Sequence, residues 1–513
     1  MDFSEALVGL RPVQSPNGQL IASIDKYNVC VRDAESLDVV ARFVCLDAIT
    51  QLLWSPDSEY ILCAQNRRKI VQVWSITDPE WTCKIDETIA GLTAAMWSPD
   101  SRHILTVTDF QLRISIWSLI NRAVYYIKYP KFSNKGIVFS PDGKFLAVLE
   151  RDQGKDFVGL YHLETWQQVN VFAVETEDAV DLQWSADSRV LVVTDNCTTY
   201  GVLAYSLDGR QLVNYKAYSG ALGVKSTALS PQDTFIAVGS YDDKLRLINS
   251  ITWQPTAVLP HPATITLPPV VRAGDASEDG ETKANRSIFD RTIVYKEVPT
   301  STAAAALDPT SSATRAAAAS LAGSLSADVL GDLGRGGDKA TKPGGGKQDT
   351  HPQQTLFEID VLPVTLRQQA VDPNSADPAT GVCSIEWSKF GEHYVATRSD
   401  STPCAVWIWD VPSLKLHSLL ITMNPVRCMR WDPCSYRLAV CCGNDKLYLW
   451  SPEAASVVSL PVVPPIPPAM ATGTNPPSAL SLSFSVRNIT WLKDGNAMIL
   501  CDRDSYTVCY FRE

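Results

Sequence analysis

Two stretches decide the fold: WSPDSEYIL at residues 54–62 and WSPDSRHIL at residues 97–105. They differ at two positions and start 43 residues apart. The pattern is an apolar run, a Ser-Pro-Asp-Ser or Ser-Pro-Asp-Gly turn, then a second apolar run. It recurs as VQSPNGQLIAS, IVFSPDGKFLAVL, LQWSADSRVLVV, TALSPQDTFIAV, IEWSKFGEHYVA, MRWDPCSYRLAV and ITWLKDGNAMIL. The serine-equivalent positions are 15, 55, 98, 140, 185, 230, 388, 432 and 492. Apart from two long gaps, the spacing is 40 to 45 residues, the period of a four-stranded propeller blade.

The local chemistry agrees. Pro presets its own backbone angle, Asp bonds its own backbone, and Gly tolerates a positive φ, so each repeat carries a tight turn. The run after the turn is apolar at nearly every position, as in YILCA or FLAVL; that suits a strand with both faces covered. A third run follows, rich in β-branched and aromatic residues: VQVWSI, ISIWSL, VGLYHL, VLAYSL, LRLINS, VWIWDV, LYLWSP and TVCYF. Thirteen of the fourteen tryptophans fall in three repeating slots, so they are expected to pack sheets together and not to form a ligand cage. One blade cannot bury its own faces, but a ring of blades can. The chain is therefore expected to be all-β: one closed WD-repeat propeller, with nine blades favoured over seven. The last repeat has only three strands, and MDFSEALV at the start is spare. Residues 2–8 are predicted to supply the missing outer strand.

The period breaks twice. Residues 1–269 hold blades one to six and 353–513 hold blades seven to nine. Between them, 270–352 is low in aromatics and rich in Ala, Gly, Ser and Thr, and is expected to be mostly disordered because it can bury little apolar surface. Two short ordered pieces are expected to flank it, TIVYKEV (292–298) and TLFEIDVLPVTL (355–366). A Pro-rich loop, PVVPPIPPAMATGTNPP, accounts for the 60-residue spacing near the end.

A net charge of −11 argues against a nucleic-acid wrapper, and no apolar run approaches a membrane span. The thirteen cysteines form no C-x-x-C pair and read as buried thiols. The six histidines are scattered, with no H-x-x-x-H or H-E-x-x-H spacing. PGGGKQ lacks the hydroxyl residue of a phosphate-binding loop. No enzymatic site, cofactor or metal is expected. The favoured class is an interaction platform; the alternatives are a generic propeller adaptor, for example in translation or ubiquitin-ligase substrate selection, and a protein binding a nucleotide in the channel.

Some words do not follow from blade packing: EWTCKIDETIAGL (80–92), YIKYPK (126–131), YSLDGR (205–210), GSYDDKLRLIN (239–249), PHPATI (260–265) and IVYKEV (293–298). Together they resemble the centrosomal WD-repeat family known as WD-repeat protein eight, encoded antisense to a p53-family gene in vertebrates. The resemblance covers nearly the whole chain except the Ala/Gly-rich insert. It implies a scaffold of the cytoplasm and cytoskeleton, located at centrosomes, spindle poles and basal bodies. There it would act with a coiled-coil protein of the afadin/α-actinin-binding type to anchor microtubule minus ends and support cilium assembly. Kinesin-14 and the γ-tubulin complex would be indirect partners. Only WIWD at 407–410 carries the Trp-Asp dipeptide, so the Asp-His-Ser-Trp relay of WD repeats is expected to be missing from most blades.

In a propeller, loops joining the second to the third strand share one face with the links between blades. Here those loops read NRRK (66–69) and RDQGKD (151–156), beside DETIAG (86–91) and YPKFSNK (129–135). Elsewhere the equivalents are neutral or acidic. The candidate partner-binding set is Arg67, Arg68, Lys69, Asp86, Glu87, Tyr129, Lys131, Lys135, Arg151 and Lys155. Its cations are expected to meet an acidic helix, speeding encounter and setting orientation.

Overall fold

A computed structural model describes residues 1–266, 288–299, 355–372, 374–460 and 484–511. The insert core at 300–354 and the Pro-rich loop at 461–483 lie outside the described residues, and so does the disorder expected for them. Each repeat forms an antiparallel sheet. Blade two is representative: Gln51–Trp54, Tyr60–Gln65, Ile70–Ser75 and Thr82–Asp86 pair in sequence order. The two middle strands are almost wholly buried and the outer one alternates, as the apolar runs predicted. Nine such sheets form one propeller of nine blades.

The ring closes. Apolar clusters bridge each pair of neighbouring blades, including Leu105 with Leu146 between blades three and four and Val192 with Ile236 between five and six. The ninth to first interface packs Ile499 and Val508 against Ile21 and Ala34. Residues 2–8 do supply the outer strand of blade nine: Asp2–Phe3 and Leu7–Val8 pair antiparallel with Ser505–Tyr510.

The recurring turn also acts between blades. Ser140 donates to Asp142 at 2.6 Å and accepts the amide of Phe145 at 2.9 Å, which holds the turn. The fourth turn residue has a left-handed backbone, with φ 66° at Ser58, 58° at Ser101 and 60° at Ser188. Its hydroxyl accepts an amide from the preceding blade: Asn17 N to Ser58, Asp57 N to Ser101 and Asp142 N to Ser188, at 2.9 to 3.1 Å. The Trp before the turn adds a second clip. The indoles of Trp54, Trp184, Trp387, Trp431 and Trp491 each donate to a carbonyl on the previous blade's inner strand. The repeated sentence is therefore a set of inter-blade staples as well as a turn.

Two features go beyond the sequence reading. The ordered piece expected at 292–298 is a strand, Ile293–Pro299. It pairs with Thr355–Asp360 and, in parallel, with Lys415–Ile421 of blade seven, making that sheet six-stranded. Its Glu297 is buried and accepts from Tyr448, Thr355 and the amide of Met423, so it ties blade seven to blade eight. The hydrogen-bond relay is present where Trp-Asp predicts it: Trp409 donates to Thr397 at 3.0 Å, and Thr397 lies 2.7 Å from His261. Blade three has a variant that the sequence reading missed. There Glu87 accepts from Thr106 at 2.7 Å and from Trp117 at 3.1 Å.

His261 is fully enclosed, and burial pushes its pKa down from 6.5 to about 3. The folded state then refuses a proton that the unfolded chain accepts. The stability contribution is complete above about pH 6.5 and is lost as pH falls toward 3, at about 1.4 kcal/mol per pH unit. A His261→Gln variant should flatten the pH dependence of the unfolding free energy over this window. Equal slopes in urea titrations of the two proteins would refute this assignment.

Candidate functional site

The loops of blades two, three and four form one layer on a single face. Backbone bonds run across it: Glu87 N to Lys69 O at 2.9 Å, Asp109 N to Ala90 O at 3.2 Å, and Tyr129 N to Leu112 O and Arg151 N to Tyr129 O, both at 3.2 Å. So the structure does bring NRRK, DETIAG, YPK and RDQGKD side by side.

It leaves only some of their charges available. Arg68 pairs with Asp47 at 3.3 Å and Lys69 with Asp109 at 3.2 Å. Arg151 pairs with Asp178 at 2.6 Å. Lys131 is a correction: its side chain is 5% exposed and holds Asp156 and Asp178 at 2.8 and 2.7 Å, with Asp156 only 1% exposed. It is an internal cation linking blade four to the next inter-blade link, through Ala179 O at 2.7 Å. Hydrogen bonding from Lys131, joined by the Arg151 charge, holds the Asp178 carboxyl below its usual range. Glu87 is the second correction. It is buried in the blade-three relay and cannot meet a partner. Asp86 is exposed, and Thr88 holds its carboxyl below the usual range by hydrogen bonding. Lys135 is exposed but turns toward a separate cavity of about 310 Å³ at the inner strands of blades five and six. Arg67 and Lys155 are exposed at the two ends of the layer.

Between those ends stands a ridge of apolar side chains absent from the sequence-derived set, apart from Tyr129. Ile89 is 103% exposed, Phe110 87%, Leu112 59% and Tyr129 58%. Phe110, Gln111 and Tyr129 all have left-handed backbones, with φ of 58°, 51° and 58°. Bulky residues rarely take that conformation, and three together mark a strained, surrounding-determined surface. Apolar knobs rimmed by paired charges have the anatomy of a protein-binding surface. Sequence reasoning placed DETIAG in a loop of this face but weighed the loops by charge, and no local signal distinguishes an outward Ile89 from an inward one.

Among the described residues, no group of three or more His, Cys, Asp or Glu side chains could hold a metal ion. All thirteen cysteines are thiols.

The model of the WD domain, G-beta repeat, matches residues 209–249 and 414–451. WD repeat-containing protein WRAP73 of Mus musculus is 37% identical over 512 residues, covering 99% of this chain and 96% of that protein. The uncharacterized WD repeat-containing protein C32H8.09 of Schizosaccharomyces pombe is 21% identical, covering 96% of this chain and 78% of that protein. Among solved structures, the C-terminal WD40 domain of Sif2 gives a TM-score of 0.46 at 10% identity, covering 100% of this chain and 99% of that one.

Proposed function

The chain belongs to the WD-repeat family that includes mouse WRAP73, and from that membership we propose a non-enzymatic scaffold of the centrosome, spindle pole and basal body. It holds a coiled-coil protein of the afadin/α-actinin-binding type and with it anchors microtubule minus ends, supporting spindle organisation and cilium assembly. Kinesin-14 and the γ-tubulin complex are reached indirectly. The family-specific words at 80–92 and 126–131 support this reading, because they supply two of the loops in the exposed layer.

The observation that carries it is the ridge of Ile89, Phe110, Leu112 and Tyr129. A coiled-coil helix offers a continuous apolar stripe edged by charge, which matches a row of apolar knobs with Arg67 and Lys155 at its ends. Apolar contact then carries the affinity, and the end charges set approach and orientation.

An Ile89→Asp/Phe110→Asp protein should fold normally, since both side chains are exposed. It should bind the coiled-coil partner at least about tenfold more weakly, roughly 1.4 kcal/mol, and leave the spindle poles. Arg67→Glu alone should have a smaller effect that vanishes in high salt. If the double variant co-purifies with the partner as the parent does, the docking surface lies elsewhere. If the parent protein is not enriched at poles by proximity labelling in dividing cells, the functional reading itself fails.

A further inference from the structure

A cavity of about 960 Å³ opens on the central channel where the ring closes, along the inner strands of blades eight, nine and one. Its lining contains Arg11, Lys389, Arg430, Lys493 and Arg503 against one carboxylate, Asp502. This excess stands on a chain whose net charge is −11.

Most of that charge is uncompensated. Asp502 is already paired with Arg487 at 3.4 Å, and Arg430 with Glu386 just outside the lining. Arg11 donates to the carbonyl of Thr50, and Lys493 to that of Pro16 at 3.0 Å. A carbonyl satisfies a donor without cancelling its charge. Lys389 and Arg503 are exposed; Lys389 shares the Glu386 counter-charge with Arg430, and Arg503 forms no salt bridge among the described residues. Asp494 and Asp504 follow two of these cations in sequence but do not line the cavity. Arg11 sits in a β-bulge between Leu10 and Val13 with φ 48°, the kind of irregularity that re-aims a side chain. Cations gathered around one concavity focus a positive potential and raise the local concentration of anions.

The lining also limits which anion fits. Trp431 and Trp491 are 2% and 8% exposed, and both indole N–H groups are used between blades. No aromatic face is open for a base to stack on. The volume is that of a small-ligand site. We propose that this cavity binds a compact polyphosphate, a small molecule carrying three or more phosphate groups and needing no nucleobase. Its cations come from the first repeat and from the seventh, eighth and ninth, so a bound polyanion spans the seam at which the ring closes and stabilises the closed form. This site is independent of the scaffold surface on blades two to four.

The test uses the full-length protein and two probes, inorganic tripolyphosphate and myo-inositol hexakisphosphate, titrated calorimetrically near physiological salt. At least one should bind saturably at one site and raise the melting temperature, and affinity should fall steeply with added salt. Saturation by tripolyphosphate alone assigns a linear phosphate chain, and by the hexakisphosphate alone a cyclitol phosphate. ATP should bind no more tightly than tripolyphosphate. A Lys389→Ala/Arg503→Ala protein should melt as the parent does without ligand and bind at least about tenfold more weakly. The salt slope of the parent protein is a readout that needs no variant. If neither probe saturates, or the double variant binds both as the parent does, the proposal is overturned.

Discussion

A chain lacking residues 2–8 should be destabilised by roughly 4–7 kcal/mol, summing a few ladder hydrogen bonds at about 1 kcal/mol each with the burial of two apolar side chains. The bonds are specific. Ser4 N donates to Val508 O, and Ser4 Oγ accepts the amide of Val508, both at 2.9 Å. Thr507 Oγ1 donates to Ser4 O at 2.9 Å. Phe3 packs into the cluster between blades eight and nine, and Leu7 into that between nine and one. The deletion therefore exposes the edge of Ser505–Tyr510 and loosens two interfaces at once. Removing residues 301–350 instead should leave the melting temperature nearly unchanged, because loop length changes closure entropy only logarithmically. Calorimetric melting of the two deletions side by side decides the matter; equal melting temperatures would mean that the N-terminal strand does not hold the ring.

Trp409→Ala should cost about 3–5 kcal/mol, the range for emptying a large aromatic site in a core. Trp409 is 0% exposed, stacks on Trp407 at 5.9 Å and 8°, and meets the edge of His261 at 5.4 Å. Phe289, just before the strand Ile293–Pro299, also touches it. The loss should therefore loosen the junction of blades six and seven as well as one strand. Trp409→Phe keeps most of the buried area and removes only the donor to Thr397; it should cost about 1–2 kcal/mol. Urea unfolding separates the two variants, and a Trp409→Ala loss under 1 kcal/mol would mean that the site refills.

The ordered pieces flanking the insert were legible in TIVYKEV and TLFEIDVLPVTL, since both are rich in strand-forming residues. Their destination was not. Ile293–Pro299 docks in parallel on Lys415–Ile421, more than a hundred residues away, and no local pattern names that partner. The candidate surface divides in the same way. Loops of the same face could be grouped from strand order alone, and the structure does join them through Lys69, Ala90, Leu112 and Tyr129. What the loops expose could not be read. Lys131 looked like any loop lysine, yet Asp156 and Asp178 from the following segments enclose it. Glu87 looked like a surface acid, yet the strands of blade three bury it.

By itself, the sequence determined the blade and the closing strand, and it favoured nine blades over seven. Those depend on turn chemistry, apolar runs and a period, all carried by contiguous residues: Ser-Pro-Asp at 55–57, the Trp before it, and their copies. Only the tertiary structure decided which charges are cancelled, where Ile89 and Phe110 point, and that Arg11 and Arg503, from opposite ends of the chain, share one cavity. Ion pairing and burial depend on which segments become neighbours, and ring closure makes neighbours of residues that nothing in the local sequence connects.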